Sequence, residues 1–387
     1  MKLLRHFSKA YWAAWIATLL FFGAFYILLV PLPLYLAKVG LPEWQIGIIL
    51  GAFGVASLFL RPLAGVLADR WGYRRVMLAG TVAFIVGVVG TSLATSPILL
   101  FGLRVLQTAG YVAFTTAATA LVADLASPDR RGAALAVFGI AANVAMTLTP
   151  AAVEAGLAAL TLRGAFWLAG ALSALAAVLA MGAYHNAEAS MRGLRLRSLL
   201  RVPSDLYSPM VAAGLFGVAF GAFLLFLPML STSRALGTSG LAYAVYGISI
   251  IGTRMATGRL LDRGNRSQFV ALAFVAMALG LVGYAFARSQ LVLIPSTVLI
   301  AIGSGILHPL LITVHMERLP ESDKGRASAA FYLSFDLGIG LGTWLLSPAL
   351  VWWSLREVFL IAGLAALVGV TLARPVAARL RAVDRAG

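Results

Sequence analysis

The sequence has no cysteine, four histidines and only fourteen acidic residues in 387. A disulfide framework and thiol chemistry are therefore closed to it. Four scattered histidines offer no metal-binding spacing, and no H-E-x-x-H occurs. There is no G-x-x-x-x-G-K-[ST] loop, so ATP-driven transport by this chain alone is not expected. No nucleophile–base constellation is recognisable by spacing, so neither an enzyme nor a bound cofactor is expected. Charge is scarce as well. Charged residues make up 11% of the chain, less than half of the roughly 25% with which a soluble domain clothes its surface.

What is present is apolar. Hydrophobic residues account for 61%, with mean hydropathy +0.94. Apolar runs fall at 11–37, 43–68, 75–94, 97–125, 131–154, 163–184, 207–232, 240–261, 268–288, 291–316, 326–350 and 356–374. Most exceed the ~20 residues that carry a helix across a hydrocarbon core. Lipid satisfies no backbone group, and the period-2 alternation of a membrane barrel is missing, so the reading is an all-α membrane protein of twelve transmembrane helices. The run 11–37 follows Lys2, Arg5 and Lys9 like a signal peptide, but it is nearly twice as long as a ~7–15-residue signal core. It is read as a retained first helix.

The net charge of +16 would suggest nucleic acid in a soluble chain; here its distribution gives a different account. With the N-terminus placed in the cytoplasm, 22 basic residues fall on that side and five (Lys38, Arg163, Arg234, Arg288 and Arg356) on the other. That asymmetry predicts both termini inside and the lipid bilayer, not nucleic acid, as the partner.

A shift of 193 residues superposes the special positions. Arg61, Gly65, Asp69 and Arg70 meet Arg254, Gly258, Asp262 and Arg263; Asp124 meets Glu317, Gly132 meets Gly325 and Asn143 meets Asp336. Leu162-Arg163-x-x-Phe166 meets Leu355-Arg356-x-x-Phe359. The expected organisation is two pseudo-symmetric six-helix bundles of parallel orientation, 1–184 and 207–387, joined by a cytoplasmic central loop at 185–206. A solute path between two such bundles is the natural use of the symmetry.

The turn after the second run reads Gly65-Val-Leu-Ala-Asp69-Arg70-Trp-Gly72-Tyr-Arg74-Arg75. Gly65 is expected to let helices approach closely, Gly72 to permit the tight turn, and Asp69 to need a cationic partner or a helix N-terminus. This segment resembles the loop signature of the major facilitator superfamily, and a degenerate copy runs from Gly258 to Arg266. Arg104-Val-Leu-Gln107-Thr-Ala-Gly110 is similar to that family's arginine motif. Pro128-x-x-Arg131-Gly132 and Pro320-x-x-x-Lys324-Gly325 match its later paired loops. The resemblance covers the whole chain.

It implies a secondary transporter working by alternating access, in which a monomer suffices. It also implies a cytoplasmic gate of Asp69, Arg70 or Arg74, and Asp124, with Asp262, Arg266 and Glu317 as the second-half equivalents. Tyr73 stands where the family usually has arginine.

Among membrane-embedded polar residues, Asp336 is the one acid near the middle of a run. It is either a proton-coupling or cation-binding carboxylate, since desolvation disfavours its charged form, or half of an ion pair with Arg104 or Arg254. His308 either shuttles protons with Asp336 or bonds between helices. Glu154 is a further coupling candidate, read more readily as exposed near the outer end of its run. Arg104 is a counter-ion, a ligand for an anionic solute, or structural. Arg61 and Arg254 read as snorkelling to the interface. Asn143 is Asp336's neutral counterpart, marking the half without titration or bonding between helices. Gln107, Tyr26, Tyr111, Phe220, Phe223, Tyr246, Tyr332 and Trp344 are candidates to line a solute cavity. Gly338-x-Gly-x-Gly342 lies inside a run and reads as close packing.

The leading functional expectation is proton-coupled efflux (antiport) across a bacterial inner membrane, on likeness to drug- and sugar-efflux members. The family's drug exporters often carry an acid in the first helix, and here there is none. The fifth helix has Ala145-x-x-x-Thr149-Pro150 where a Gly-Pro pair is usual. The alternative is proton-symport uptake of a small polar or anionic solute.

Overall fold

The computed structural model describes residues 8–125, 131–182, 204–263, 265–319 and 324–378. Helices start and stop where local chemistry dictates. Ser8 accepts a bond from the Tyr11 amide and opens α1 (Lys9–Ile27). The chain breaks at 28–30, and Pro31, whose missing N–H costs nothing in a first turn, begins α2 (Pro31–Lys38). There follow α3 (Glu43–Trp71), α4 (Tyr73–Leu93), α5 (Pro97–Leu125) and α6 (Arg131–Gly182). Between α3 and α4, Gly72 takes φ 81°, a region open to glycine without strain, so the expected tight turn is there. Thr161, at φ 60°, breaks α6 into two helices.

After the central loop come α7 (Tyr207–Ser233), α8 (Ser239–Arg263), α9 (Arg266–Phe286), α10 (Gln290–Glu317), α11 (Lys324–Ala349), α12 (Leu355–Thr371) and the short α13 (Ala373–Ala378). Among the described residues nine stretches are long and apolar enough to span a membrane, one of them the broken α6. With α6 counted as two, and α8 and α12 added, the elements agree with twelve crossings.

Contacts divide the chain into two units, one of Met1–Gly40 and Ala56–Leu196, the other of Leu41–Val55 and Arg197–Gly387. The division by sequence repeat differs from this at 41–55, the first half of α3, which groups with the second unit. The central loop, 185–206, lies almost wholly outside the described residues.

In the first unit α1 lies on α6 and α4 lies on α5 and α6. Polar tips of buried aromatics tie the helices: Tyr11 donates to the Ala134 carbonyl (2.7 Å) and Tyr35 to that of Ala94 (3.0 Å). Phe21 stacks on Phe114, with centroids 3.8 Å apart.

In the second unit α11 packs closely on α7. A Cβ on Gly338 would collide with the Gly214 carbonyl of α7, and one on Gly342 would stand 3.0 Å from Val218. One on Gly340 would meet the backbone of Gly54 and Val55. The Gly-x-Gly-x-Gly run is thus a seam of close helix contact, as expected of apolar helices that gain nothing from leaving lipid and must gain from packing. Gly65 is different. Among the described residues nothing lies within 4 Å of a Cβ placed there, so the expected close approach at that position is absent.

Candidate functional site

In the first unit the site residues form a polar web between α4 and α5. Arg104 is 3% exposed. Its Nη1 donates to Gln107 Oε1 (3.0 Å), and Gln107 Nε2 donates to the Gly87 carbonyl (3.1 Å) and Thr91 Oγ1 (2.8 Å). Gly87 makes this possible, since a Cβ there would press on Gln107. Phe25 covers the guanidinium at 6.0 Å from its ring centroid, and Tyr111 packs on Phe25 at 4.1 Å. Tyr26 is half-buried against Phe22 and Phe25. Asn143 donates to the Gly139 carbonyl of its own helix (3.3 Å) and, among the described residues, to no neighbouring helix. Glu154 is half-buried in α6.

In the second unit the candidates gather as rings. Phe220 of α7 lies 6.0 Å from Tyr246 of α8 and 5.6 Å from Phe335 of α11. His308 of α10 lies 5.9 Å from Phe335 and 6.2 Å from Tyr332. The Tyr246 hydroxyl is 2.9 Å from Ser304 Oγ. Asp336, 6% exposed, follows Phe335 on α11. Its main-chain carbonyl faces Gly54, so it lies on the side of α11 that meets α3. Trp344 shares that side and donates from Nε1 to the Ile48 carbonyl (2.9 Å). It therefore pins α11 to the first half of α3.

Arg254 is half-buried in α8. Its Nε is buried with no hydrogen-bond partner among the described residues.

The expected gate residues sit at the helix ends. Arg70 and Arg74 are exposed and Asp69 is half-buried; the Asp262 side chain lies outside the described residues. Sequence reasoning left the cation for Asp124 open because Tyr73 replaces the usual arginine. The structure supplies a neutral partner, with Tyr73 donating its hydroxyl to Asp124 Oδ2 at 2.6 Å. In the second unit Arg266 meets Glu317 at 3.0 Å. Tyr73 and Arg266 are themselves 193 residues apart, as are Asp124 and Glu317. The repeat offset was the signal that could have found Tyr73.

With this geometry in view, the sequence profile of the Major Facilitator Superfamily matches residues 14–343, and again 210–386. The chain belongs to the major facilitator superfamily. Among relatives of this superfamily member, a multi-drug resistance efflux pump PmrA homolog of Lactococcus lactis is 26% identical over 83% of the chain and 84% of that protein. The staphylopine export protein of Staphylococcus aureus is 21% identical over 92% of each. A crystal structure of the peptide transporter POT in complex with sulfate superposes with TM-score 0.81 at 15% identity, covering 96% of this chain and 94% of that one. At that identity the likeness speaks for the fold. The protein is accordingly a non-enzymatic, multi-pass membrane transporter of the superfamily.

Proposed function

We propose that this superfamily member exports a small solute in exchange for protons, by alternating access of its two halves in a bacterial inner membrane, as a monomer with both termini in the cytoplasm. The observation that carries the reading is Asp336, a carboxylate 6% exposed in the middle of a membrane helix. Insertion scales put such a charge at about 3 kcal/mol, so an acid persists there only when paired or put to use. A proton discharges it at no cost in space, and its release restores the charge.

Export as the direction is supported by relatives named for efflux or export that match most of the chain. The orientation is supported by the 22-to-5 bias of basic residues. Arg104 and Gln107, closed into their web, hold α4 to α5. The rings of the second unit supply the solute's apolar contacts, and the Tyr73–Asp124 and Arg266–Glu317 pairs brace the basic, cytoplasmic turns.

The test is solute-driven proton movement in proteoliposomes, with amphipathic cations, sugars and carboxylates as solutes. The parent is expected to move protons opposite to the solute, and Asp336→Asn to abolish that movement while still binding solute. Protons moving with the solute establish uptake instead. If the variant couples normally, Asp336 is not the carrier, and His308 and Glu154 become the groups to change.

A further inference from the structure

Of the five basic residues on the side away from the basic turns, three meet at the far end of α9. Arg234, the residue that follows α7, donates from Nη1 to the carbonyls of Ala285 (3.0 Å) and Ala287 (3.0 Å) and reaches that of Tyr284 at 3.4 Å. Arg288 is the next residue of the same helix end. Arg356, in the first turn of α12, lies over the Phe286 ring, its guanidinium carbon 4.6 Å from the centroid. A cation on the open carbonyls of a helix end is ordinary, since it completes their bonding and suits the negative end of the dipole. Arg234 suffices for that.

The other two add charge beyond it. Arg288 and Arg356 are exposed, and among the described residues neither makes an ion pair. Burial first, and then the charges of Arg288 and Arg356, hold the Arg234 guanidinium below its usual range. Glu357 opposes this, but its Oε2 is engaged at the start of α12, accepting from Ser354 N (3.0 Å) and Oγ (2.6 Å). Three positive charges and one negative therefore stand together. Like charges repel, and basic residues are disfavoured on this side of a membrane. What the cluster calls for is an anion.

The surroundings say which one. Phe286 and, in the turn that leads into α12, Trp352 and Trp353 are all more than half exposed. Exposed aromatics at helix ends mark the level of the lipid headgroups. Below them α9 and α12 pack along each other and expose Leu279 and Leu364, an apolar surface continuous with the charged end. We propose that Arg234, Arg288 and Arg356 form a site for an anionic phospholipid in the leaflet opposite the basic turns. The phosphate sits between Arg288 and Arg356, whose guanidinium forks match its oxygens, and an acyl chain runs past Phe286 along α9 and α12.

Native mass spectrometry of the purified full-length chain in uncharged detergent tests this, with phosphatidylglycerol, phosphatidylcholine and inorganic phosphate as probes. The basic turns also attract anionic lipid, so the reading is a difference between proteins. The parent is expected to hold phosphatidylglycerol in preference to phosphatidylcholine. Arg288→Gln/Arg356→Gln should lose one tightly bound phosphatidylglycerol, its affinity falling about thirtyfold, the share of two arginines. Arg288→Gln alone should lower it about fivefold, and Arg288→Lys/Arg356→Lys should keep most of it. A parent without the preference overturns the proposal. So does a double glutamine variant of unchanged unfolding temperature that keeps the full number of bound lipids. If inorganic phosphate alone displaces that lipid, the site belongs to a free anion and the proposal falls as well. Binding is read without a gradient, so none of these outcomes depends on the transport reading.

Discussion

In the first unit the acid near the end of α5, Asp124, is met by a tyrosine hydroxyl; in the second the acid ending α10, Glu317, is met by an arginine. Repeat symmetry makes the pairs equivalent, and in each the partner is the first residue of the helix after the basic turn. Tyr73 is 8% exposed, whereas Arg266 and Glu317 are exposed to 29% and 35%. A neutral hydroxyl bonded to a carboxylate contributes about 1.5–3 kcal/mol, while a solvated ion pair contributes about 0.2–1. The formally weaker chemistry is thus the stronger clasp, because burial and not charge decides what water can replace.

A second equivalent stretch differs more deeply. Asp336, Gly338, Gly340 and Gly342 of α11 answer to Asn143, Ala145, Thr147 and Thr149 of α6. On α11 three glycines admit neighbouring backbones. On α6 the side chains occupy that volume, and Thr147 turns its hydroxyl back on the Asn143 carbonyl (2.6 Å). The largest effect should come from breaking this contrast. Gly338→Ala drives a methyl into the Gly214 carbonyl and should cost toward 3 kcal/mol, the upper range of overpacking, since backbone cannot swing aside. The mirror change, Ala145→Gly, should cost about 1 kcal/mol. Unfolding midpoints in detergent measure both. Equal, small shifts would mean that the α7–α11 seam yields easily.

The repeat, the helices and the glycine packing of α11 were legible in the sequence because each leaves a pattern: a fixed offset, a run of sufficient length, a spacing of small residues. The partners of individual side chains were not. Where nearly every position of a helix is apolar, periodicity does not show which face meets a neighbour. Hence Trp344, a candidate cavity aromatic, turned out to bond Ile48. Gly65 carried a motif's packing role, yet among the described residues nothing lies within 4 Å of a Cβ placed there. Residues 41–55 group with the second unit, and part of their packing is a main-chain contact that glycine at 54 and 340 permits. Such contacts depend on tertiary geometry that the spacing does not encode.

The clasps give two effects smaller than that of Gly338→Ala. Tyr73→Phe removes the hydroxyl and nothing else, so its cost isolates the bond to Asp124. Because Asp124 itself is exposed, the loss should lie near the lower limit, about 1.5 kcal/mol. It should also be the same in low and high salt, since no ion pair is lost. A shift that disappears at high salt would show that Tyr73 works by organising nearby charges.

Arg266→Ala should cost least, about 0.5 kcal/mol, and its cost should depend on salt. At ~1 M ionic strength the screening length is ~3 Å, about the 3.0 Å separation of Arg266 and Glu317, so the difference between parent and variant should nearly vanish. Unfolding of the pair of proteins at low and high salt reads this directly. A loss above that of Tyr73→Phe, or one indifferent to salt, would reverse the comparison. It would mean that the second unit's clasp is held by the packing of the arginine stem against its helix and not by its charge.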